Sequence, residues 1–179
     1  MALNPDYNSM RKLNFLMIPF LVLAFNACSQ NASSQKKKGA NSPFENTTLY
    51  PEAKPADYWK KILSAQAYEI MVNRGTETPY KNPYWDNHKK GVYVSAATGK
   101  PLFSSDTKFE SGTGWPSFFQ PIDEKNIKIV RDASDGMVRD EVVEASTGLH
   151  LGHVFDDGPA PTGKRYCMNS YAFKFVPDK

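Results

Sequence analysis

The spacing of apolar residues changes near Gly75. Over residues 56–74, apolar side chains recur every three or four positions, and after this segment they alternate over shorter runs. A period of three to four residues is typical of a helix with one buried face. The pattern predicts two short helices, with Asp57 and Ser64 as their N-caps and Gly75 as the stop signal after the second.

Beyond Gly75, short alternating runs are separated by turn residues, and a period of two is typical of strands. The runs that we predict as strands are GVYVSA, KPLFSS, NIKIVRD, MVRDEVVEA, LHLGHVF and YCMNSYAFKF. The segment KNPYWDNHKK fits neither period, so we predict an irregular connection. Several short strands behind two helices indicate a mainly β fold, an antiparallel sandwich or open barrel.

The N-terminal residues have the pattern of an export signal. A basic start is followed by an apolar run, MRKLNFLMIPFLVLAFNACSQ, which is too short and too interrupted for a membrane-spanning helix. We therefore interpret residues 1–28 as a signal peptide that starts at either Met1 or Met10. Residues 29–55 are polar and interrupted by prolines, and we predict a flexible tether leading to a folded domain at residues 56–179.

The signal ends in Ala27-Cys28, which resembles a bacterial lipobox. By this resemblance Cys28 would carry lipid and anchor the chain to a membrane in the cell envelope of a bacterium. The alternatives are an exported soluble protein or an unmodified tail cysteine. The sequence does not distinguish the inner membrane from the outer membrane.

Two global features narrow the function. The chain has 179 residues with a formal net charge of +3, too small and too evenly spread to indicate nucleic-acid binding. It has two cysteines. If Cys28 is lipidated, Cys167 is left as an unpaired thiol in an exported domain, which is unusual.

Cys167 lies in the last predicted strand. If this strand is extended, Arg165, Cys167 and Asn169 share one face. A guanidinium near a thiol favours the thiolate, and we expect Cys167 to rest as a nucleophilic anion. The alternative is a solvated arginine beside a small buried cysteine.

Two further segments carry candidate groups. His150 and His153 are three apart, which on a regular strand sends their rings to opposite faces and disfavours a shared metal. Asp156 and Asp157 are either acids or turn formers. In SGTGWPSFF the aromatic residues form either a small apolar pocket or a core edge, and these are Trp115, Phe118 and Phe119.

Five segments together resemble the methionine-R-sulfoxide reductase B family. They are GTETPY, GVYVSAATGKPLFSSDTKFESGTGWPSFF, RDEV, HLGHVFDDGPAPTGKRYCMNS and FKF, and the resemblance covers residues 57–177. It implies two antiparallel sheets with short N-terminal helices. It also implies an oxidoreductase that repairs oxidised proteins by reducing the R epimer of methionine sulfoxide.

The resemblance also implies roles for residues. Cys167 matches the nucleophile, which would be left as sulfenic acid, and His153 the proton source. The other residues expected at the catalytic centre are Arg165, Asn169 and Asp157. The residues expected to bind substrate are Trp115, His150, Phe118 and Phe155.

The chain departs from the family pattern at two places. Many members hold zinc with two CxxC pairs, but those positions are Ser95, Thr98, Glu144 and Thr147 here, so we expect no zinc or other metal cofactor. Thr113 occupies the usual position of a resolving cysteine. We therefore expect an external thiol or a thioredoxin-like partner to regenerate Cys167.

Two other functions remain open at this stage. A non-enzymatic domain that binds oxidised methionine or senses oxidants would explain the missing zinc and resolving cysteines. A Cys-His hydrolase is disfavoured, because no nucleophile elbow accompanies Cys167. The client proteins and the oligomeric state are not predicted.

Overall fold

The computed structural model describes residues 48–179. The signal peptide, Cys28 and most of the predicted tether lie outside these residues. In the described part, two short helices precede nine strands. The helices are α1 (Ala56–Ile62) and α2 (Ala65–Met71), and the strands are β1 (Gly91–Ser95), β2 (Pro101–Ser104), β3 (Lys108–Phe109), β4 (Ser117–Phe118), β5 (Ile127–Asp132), β6 (Arg139–Glu144), β7 (His150–Phe155), β8 (Arg165–Met168) and β9 (Phe173–Pro177).

The strands form two antiparallel sheets. One sheet has the order β2-β1-β9 and the other β3-β4-β8-β7-β6-β5. The predicted mainly β fold is confirmed, and neither sheet closes into a barrel. No helix in residues 48–179 has the length and apolar character that a membrane crossing requires.

The helix prediction was correct for the second N-cap and wrong for the first. The Ser64 hydroxyl accepts a hydrogen bond from the Ala67 N–H at 3.1 Å. Helix α1 begins after Pro55, so Asp57 lies in the first turn, where its carboxylate complements the helix dipole. After α2 the left-handed conformation falls on Arg74, with φ 60°, rather than on Gly75.

Phe118 lies in the aromatic core between the sheets. Its side chain is fully buried, and its ring stacks on Phe103 with the centroids 4.6 Å apart. It also packs edge-to-face against Tyr93 at 5.0 Å. The expectation that Phe118 lines a substrate pocket was wrong, because burial in the core leaves no face of the ring open.

The predicted final strand is divided into two strands of different sheets. Strand β8 ends at Met168, and β9 begins at Phe173 after a 3₁₀ turn. The buried Glu77 carboxylate accepts hydrogen bonds from the backbone N–H groups of Ser170 and Tyr171, at 2.6 and 3.0 Å. These two N–H groups therefore bond to Glu77, which is distant in the sequence. In a continuous strand they would be available to pair with an adjacent strand.

A buried carboxylate joins the turns that follow β1 and β6. The Glu144 carboxylate accepts hydrogen bonds from Ser95 at 2.9 Å, from Thr147 at 3.2 Å and from Thr98. We call these four residues the Glu144 cluster. Burial raises the pKa of Glu144, and the three hydroxyls act in the opposite direction. The cluster connects the two sheets, because Ser95 belongs to β1 of one sheet and Glu144 to β6 of the other.

Candidate active site

A pocket of about 180 Å³ opens over the centre of the six-stranded sheet. Strands β7 and β8 form much of its wall, and the loop before β4 contributes an indole ring. The lining residues are Thr76, Trp115, Arg139, Gly152, His153, Phe155, Cys167, Met168 and Asn169.

Cys167 lies in the middle of three adjacent strands. On β8 it pairs with His153 of β7 on one side and Ser117 of β4 on the other. Its Sγ lies 3.9 Å from the Thr113 hydroxyl. Ser111 links the two neighbouring hydroxyls, at 2.8 Å from Thr113 and 2.7 Å from Ser117. The thiol therefore has hydroxyl groups beside it and a histidine across the strand.

The surroundings of Cys167 disfavour the thiolate that the sequence led us to expect. Burial raises the pKa of Cys167 above its ordinary value, while Thr113, Arg165 and Ser117 lower it by smaller amounts. Removing a thiolate from water disfavours the charged form, and here this outweighs the nearby cation. Cys167 therefore rests as a neutral thiol at neutral pH, contrary to the expectation from Arg165 alone.

Arg165 shares the predicted strand face but is largely engaged elsewhere. Its guanidinium donates two hydrogen bonds to the exposed Asp157 carboxylate, at 2.8 and 2.9 Å. It also lies 4.4 Å from the centroid of the Phe155 ring. Asp157 does not line the pocket, so the structure places it behind Arg165 rather than at the thiol.

The two histidines lie on the same side of the sheet, and the prediction of opposite faces was wrong. Their ring centroids are only 5.4 Å apart. Val142 pairs with Gly152 and Val143 with His150, so β7 has one extra residue, Leu151. This β-bulge reverses the alternation between His150 and His153.

Gly152 allows β7 to approach β8 closely at this bulge. A Cβ atom at this position would lie 2.3 Å from the Cys167 carbonyl oxygen and 2.9 Å from the Met168 Cα. Any side chain at position 152 would push the strands apart. The glycine thus keeps His153 and Cys167 in register.

His153 is held by an acidic partner. Its Nε2 lies 3.0 Å from the Asp132 carboxylate, which also accepts a hydrogen bond from Arg139 at 3.1 Å. Burial lowers the pKa of His153 below 6.5, although the bond to Asp132 opposes this shift. The ring is therefore neutral at neutral pH. Because a carboxylate only accepts, the proton is on Nε2 and Nδ1 is unprotonated.

His150 lies behind the pocket wall rather than in it. It is 2% exposed, and its Nδ1 is 2.6 Å from the buried Glu141 carboxylate, which also pairs with Arg74. Its Nε2 lies 3.4 Å from the Asn169 amide. The expected direct contact between His150 and substrate was wrong. His150 instead helps to orient Asn169, which does line the pocket.

Trp115 is held in place by a backbone contact. Its indole N–H donates to the Glu77 carbonyl at 3.1 Å, and the Glu77 N–H donates to the Asn169 side chain at 3.2 Å. Glu77 thereby fixes both residues through its backbone and the turn after β8 through its carboxylate.

The structure brings together five of the predicted residues at the pocket: Cys167, His153, Asn169, Trp115 and Phe155. Arg165 and Asp157 stand beside it, His150 behind it and Phe118 in the core. Sequence reasoning missed several supporting residues: Glu77, Ser117, Asp132, Arg139 and Glu141. Glu77 and Glu141 fall within the quoted GTETPY and RDEV segments, but neither period nor spacing shows what they contact.

Within residues 48–179, no group of three or more histidine, cysteine, aspartate or glutamate side chains is arranged to hold a metal ion. The reactive group in the pocket is a single partly accessible thiol. Fold and site together therefore define a two-sheet β domain with a cysteine-centred pocket suited to thiol chemistry.

Comparisons with known proteins give the family. The SelR domain matches residues 63–177. A peptide methionine sulfoxide reductase MsrB of Methanosarcina barkeri is 52% identical over 122 residues, covering 68% of this chain and 86% of the relative. Proteins of the same name from Agrobacterium fabrum and Leptospira interrogans are each 49% identical, over 66% and 70% of this chain and 88% and 96% of theirs. The chain belongs to the SelR domain family, which includes these MsrB reductases.

Proposed function

We propose that this chain is a peptide methionine (R)-sulfoxide reductase in which Cys167 takes the oxygen of the substrate. The observation that carries the proposal is the placement of Cys167 in the pocket, opposite His153 and beside Trp115 and Asn169. The family supports the reaction class, since its members are named for reducing methionine sulfoxide in peptides and use thiol reductants.

The reaction balances from two neutral partners. The Cys167 sulfur attacks the sulfoxide sulfur and forms an S–S bond. The S–O bond of the sulfoxide and this S–S bond then break as the oxygen passes to Cys167. The products are methionine and Cys167 sulfenic acid, so the sulfoxide sulfur is reduced and the cysteine oxidised. The thiol proton ends on the oxygen, and no external proton is consumed.

His153 carries this proton. In the resting pocket its Nδ1 is unprotonated while Cys167 is a thiol, and the two residues face each other across β7 and β8. His153 takes the thiol proton as the sulfur attacks and returns it to the departing oxygen. Asp132 holds the ring in the required tautomer through Nε2.

Trp115 and Phe155 provide the apolar part of the pocket. Their rings pack the methyl group of the R epimer, while Asn169 supplies polar contacts. Discrimination by apolar shape is typically about 1–3 kcal/mol, which suffices for epimer preference. Arg165, stacked on Phe155 and bonded to Asp157, positions this ring and supplies positive charge near Cys167.

An external thiol regenerates Cys167. The Thr113 hydroxyl lies 3.9 Å from the Cys167 sulfur, and a hydroxyl cannot form a disulfide with it. Two thiols of a small molecule or of a thioredoxin-like partner reduce the sulfenic acid to the thiol, with release of water and formation of their disulfide.

We also propose that the domain functions without structural zinc. The four positions at issue hold three hydroxyls and one carboxylate that already bond to one another, and thiolate ligands are missing. Metal analysis of purified protein should give less than one zinc per ten chains. One tightly bound zinc per chain would contradict this.

The exported location and the lipid anchor on Cys28 stay proposals from the sequence. They concern residues 1–28, outside the described part of the chain. Expression in a bacterium should yield envelope-bound protein that Cys28→Ala releases from the membrane. A cytoplasmic, unmodified full-length chain would refute both.

The reductase assignment is tested with a peptide containing methionine-R-sulfoxide and excess dithiothreitol. Wild-type protein should release methionine repeatedly, and Cys167→Ser should reduce turnover at least about 1000-fold. The S epimer is the matched control substrate and should not react. Binding of the peptide without turnover by the wild type would support a non-enzymatic role instead.

A further inference from the structure

We propose that a groove beside the pocket holds the extended polypeptide that flanks the reacting methionine sulfoxide. This inference rests on the proposed function and names the surface that reads its substrate. The groove lies between α2 and the segment of residues 76–81. Its volume is about 530 Å³, and the residues that the argument uses are Glu69, Thr76, Glu77, Thr78 and Lys81.

The groove adjoins the pocket at one residue. Thr76 lines both the pocket at Cys167 and the groove. The pocket, at about 180 Å³, is smaller than sites that enclose a whole ligand, so it suits a single side chain. A substrate main chain that leaves the pocket past Thr76 meets the groove, because Thr76 lines both.

The segment that separates pocket from groove is fixed. The Glu77 N–H donates to Asn169, its carbonyl accepts from Trp115, and its carboxylate accepts from Ser170 and Tyr171. Four contacts through one residue give this segment a defined backbone position. A rigid segment loses little entropy when it binds a second chain.

Backbone groups of the same segment remain available. Among residues 48–179, the Thr76 N–H, the Thr76 C=O and the Thr78 N–H have no hydrogen-bond partner. The Glu77 N–H and C=O between them are bonded to Asn169 and Trp115. Unpaired backbone donors and acceptors at an accessible edge are the feature that extended peptides use for strand addition. A substrate chain can therefore pair with Thr76 and Thr78 while its sulfoxide side chain enters the pocket.

Two exposed charges lie along this path. Lys81 and Glu69 both line the groove. Lys81 has no acidic partner among the described ion pairs. It is therefore available to attract an acidic residue that flanks the methionine sulfoxide, without any effect on the chemistry at Cys167.

The experiment compares substrates of increasing length on the full chain. N-acetylmethionine-R-sulfoxide N-methylamide is compared with a seven-residue peptide that carries the sulfoxide at its centre. We expect the peptide to have a kcat/KM at least about tenfold higher, since one net hydrogen bond corresponds to about that factor. N-methylation of the flanking amide that pairs with Thr76 should remove most of this gain, and methylation of its neighbour should not.

The charge arm uses peptides with aspartate or lysine on both flanks. Lys81→Glu should lower kcat/KM for the aspartate peptide about threefold and raise it for the lysine peptide, because exposed pairs contribute little each. Lys125→Glu, on the turn before β5 and outside the groove, is the matched control.

The outcomes separate this inference from the proposed function. If the blocked amino acid and the peptide react equally well, or if methylation at every flanking amide has the same effect, the groove is not the peptide site and the reductase assignment stands. If neither substrate is reduced, the proposed function itself is wrong.

Discussion

Two ionisable groups in this domain, the Glu144 carboxyl and the Cys167 thiol, have hydroxyl side chains beside them, and they differ in how those hydroxyls are hydrogen-bonded. At the Glu144 cluster, Ser95, Thr98 and Thr147 all bond directly to a fully buried carboxylate. At Cys167, one hydroxyl lies at 3.9 Å from the sulfur, and the other hydroxyls bond mainly among themselves. The first group is closed, whereas the second faces a pocket.

We interpret the Glu144 cluster as a structural centre and Cys167 as the reactive one. Burial raises the pKa of both Glu144 and Cys167. In both cases the neighbouring hydroxyls offset only part of this shift. The Glu144 oxygens accept three hydrogen bonds from side chains around them, and these bonds connect the two sheets. The Cys167 sulfur instead faces the pocket and stays accessible to an incoming sulfoxide. Buried polar groups whose hydrogen bonds are satisfied rigidify a fold, whereas perturbed groups that line a pocket are candidates for chemistry.

The largest expected effect is on the reactive side. His153→Asn should lower kcat/KM about 100-fold or more, because proton transfer by a positioned side chain contributes at least that factor. His88, exposed and outside the pocket, gives the control His88→Asn with unchanged activity. An unchanged rate in His153→Asn would remove the histidine from the mechanism.

The role of His153 also predicts how kcat/KM depends on pH. Because burial lowers the pKa of His153 below 6.5, the neutral ring is the majority form at pH 6.5 and above. In the wild type the midpoint of the acid-side fall in kcat/KM should therefore lie below pH 6.5. A midpoint above pH 6.5 would show that burial does not control the protonation of His153.

The next effect is on the structural side. Glu144→Ala should lower the free energy of unfolding by about 2 kcal/mol, since three buried hydroxyls lose their acceptor and a cavity remains. Turnover of the folded fraction should be unchanged. Glu124→Ala, on an exposed turn, is the matched control for denaturant unfolding. A loss of kcat in Glu144→Ala without a loss of stability would break the comparison.

Glu144→Gln tests the charge alone. A carboxyl whose folded pKa is raised above its ordinary 4.5 makes the folded state less stable as the pH rises from 4.5 towards the raised value. The glutamine variant should therefore show a flatter dependence of unfolding free energy on pH above 4.5. If the unfolding free energy of both proteins depended on pH in the same way, the charge of Glu144 would not contribute to stability.

A smaller effect on stability is expected at Asp132, whose carboxylate contacts the His153 ring. Hydrogen bonds from Ser134 and His153 and the nearby Arg139 hold the pKa of Asp132 well below 3.8. Its ionised form therefore stabilises the fold at pH values above 3.8, and this contribution is lost as the pH falls. Asp132→Asn should cost about 1 kcal/mol at neutral pH and nothing at strongly acid pH. An equal cost at both pH values would point to packing instead.

The smallest expected effect concerns the Thr113 hydroxyl, which offsets part of the rise in the pKa of Cys167. Thr113→Val keeps the shape of the side chain and removes the hydroxyl that lowers the pKa of Cys167. The midpoint of iodoacetamide alkylation against pH should therefore rise. Thr162→Val, in an exposed turn, should leave it unchanged. A fall in the midpoint would contradict the assigned contact.

The sequence predicted the fold class and five of the residues that line the pocket, but not the geometry between them. Alternation placed the strands around Cys167 and His153, and local turn chemistry identified Ser64 as a cap. The very short strands β3 and β4 were missed because two residues show no period. The bulge at Leu151 was also missed, since one inserted residue leaves the local composition unchanged while it reverses the face of His150.

Long-range electrostatics account for the remaining errors. Arg165 was expected to ionise Cys167, yet the guanidinium is committed to Asp157 and Phe155, and burial dominates at the thiol. Spacing along one strand indicates a neighbour but does not show the depth at which either side chain lies. The roles of Glu77 and Glu141 depend on contacts with segments far away in the chain, which no local pattern reports.

The most direct test of the account is the fate of the substrate oxygen. The chain is mixed once with a peptide containing methionine-R-sulfoxide, without reductant, and the tryptic peptide that carries Cys167 is analysed by mass spectrometry with a sulfenic-acid trap. We expect one oxygen atom on Cys167 for each methionine released. Release of methionine with Cys167 unmodified, or oxygen found on another residue, would contradict the assignment of Cys167 as the oxygen acceptor.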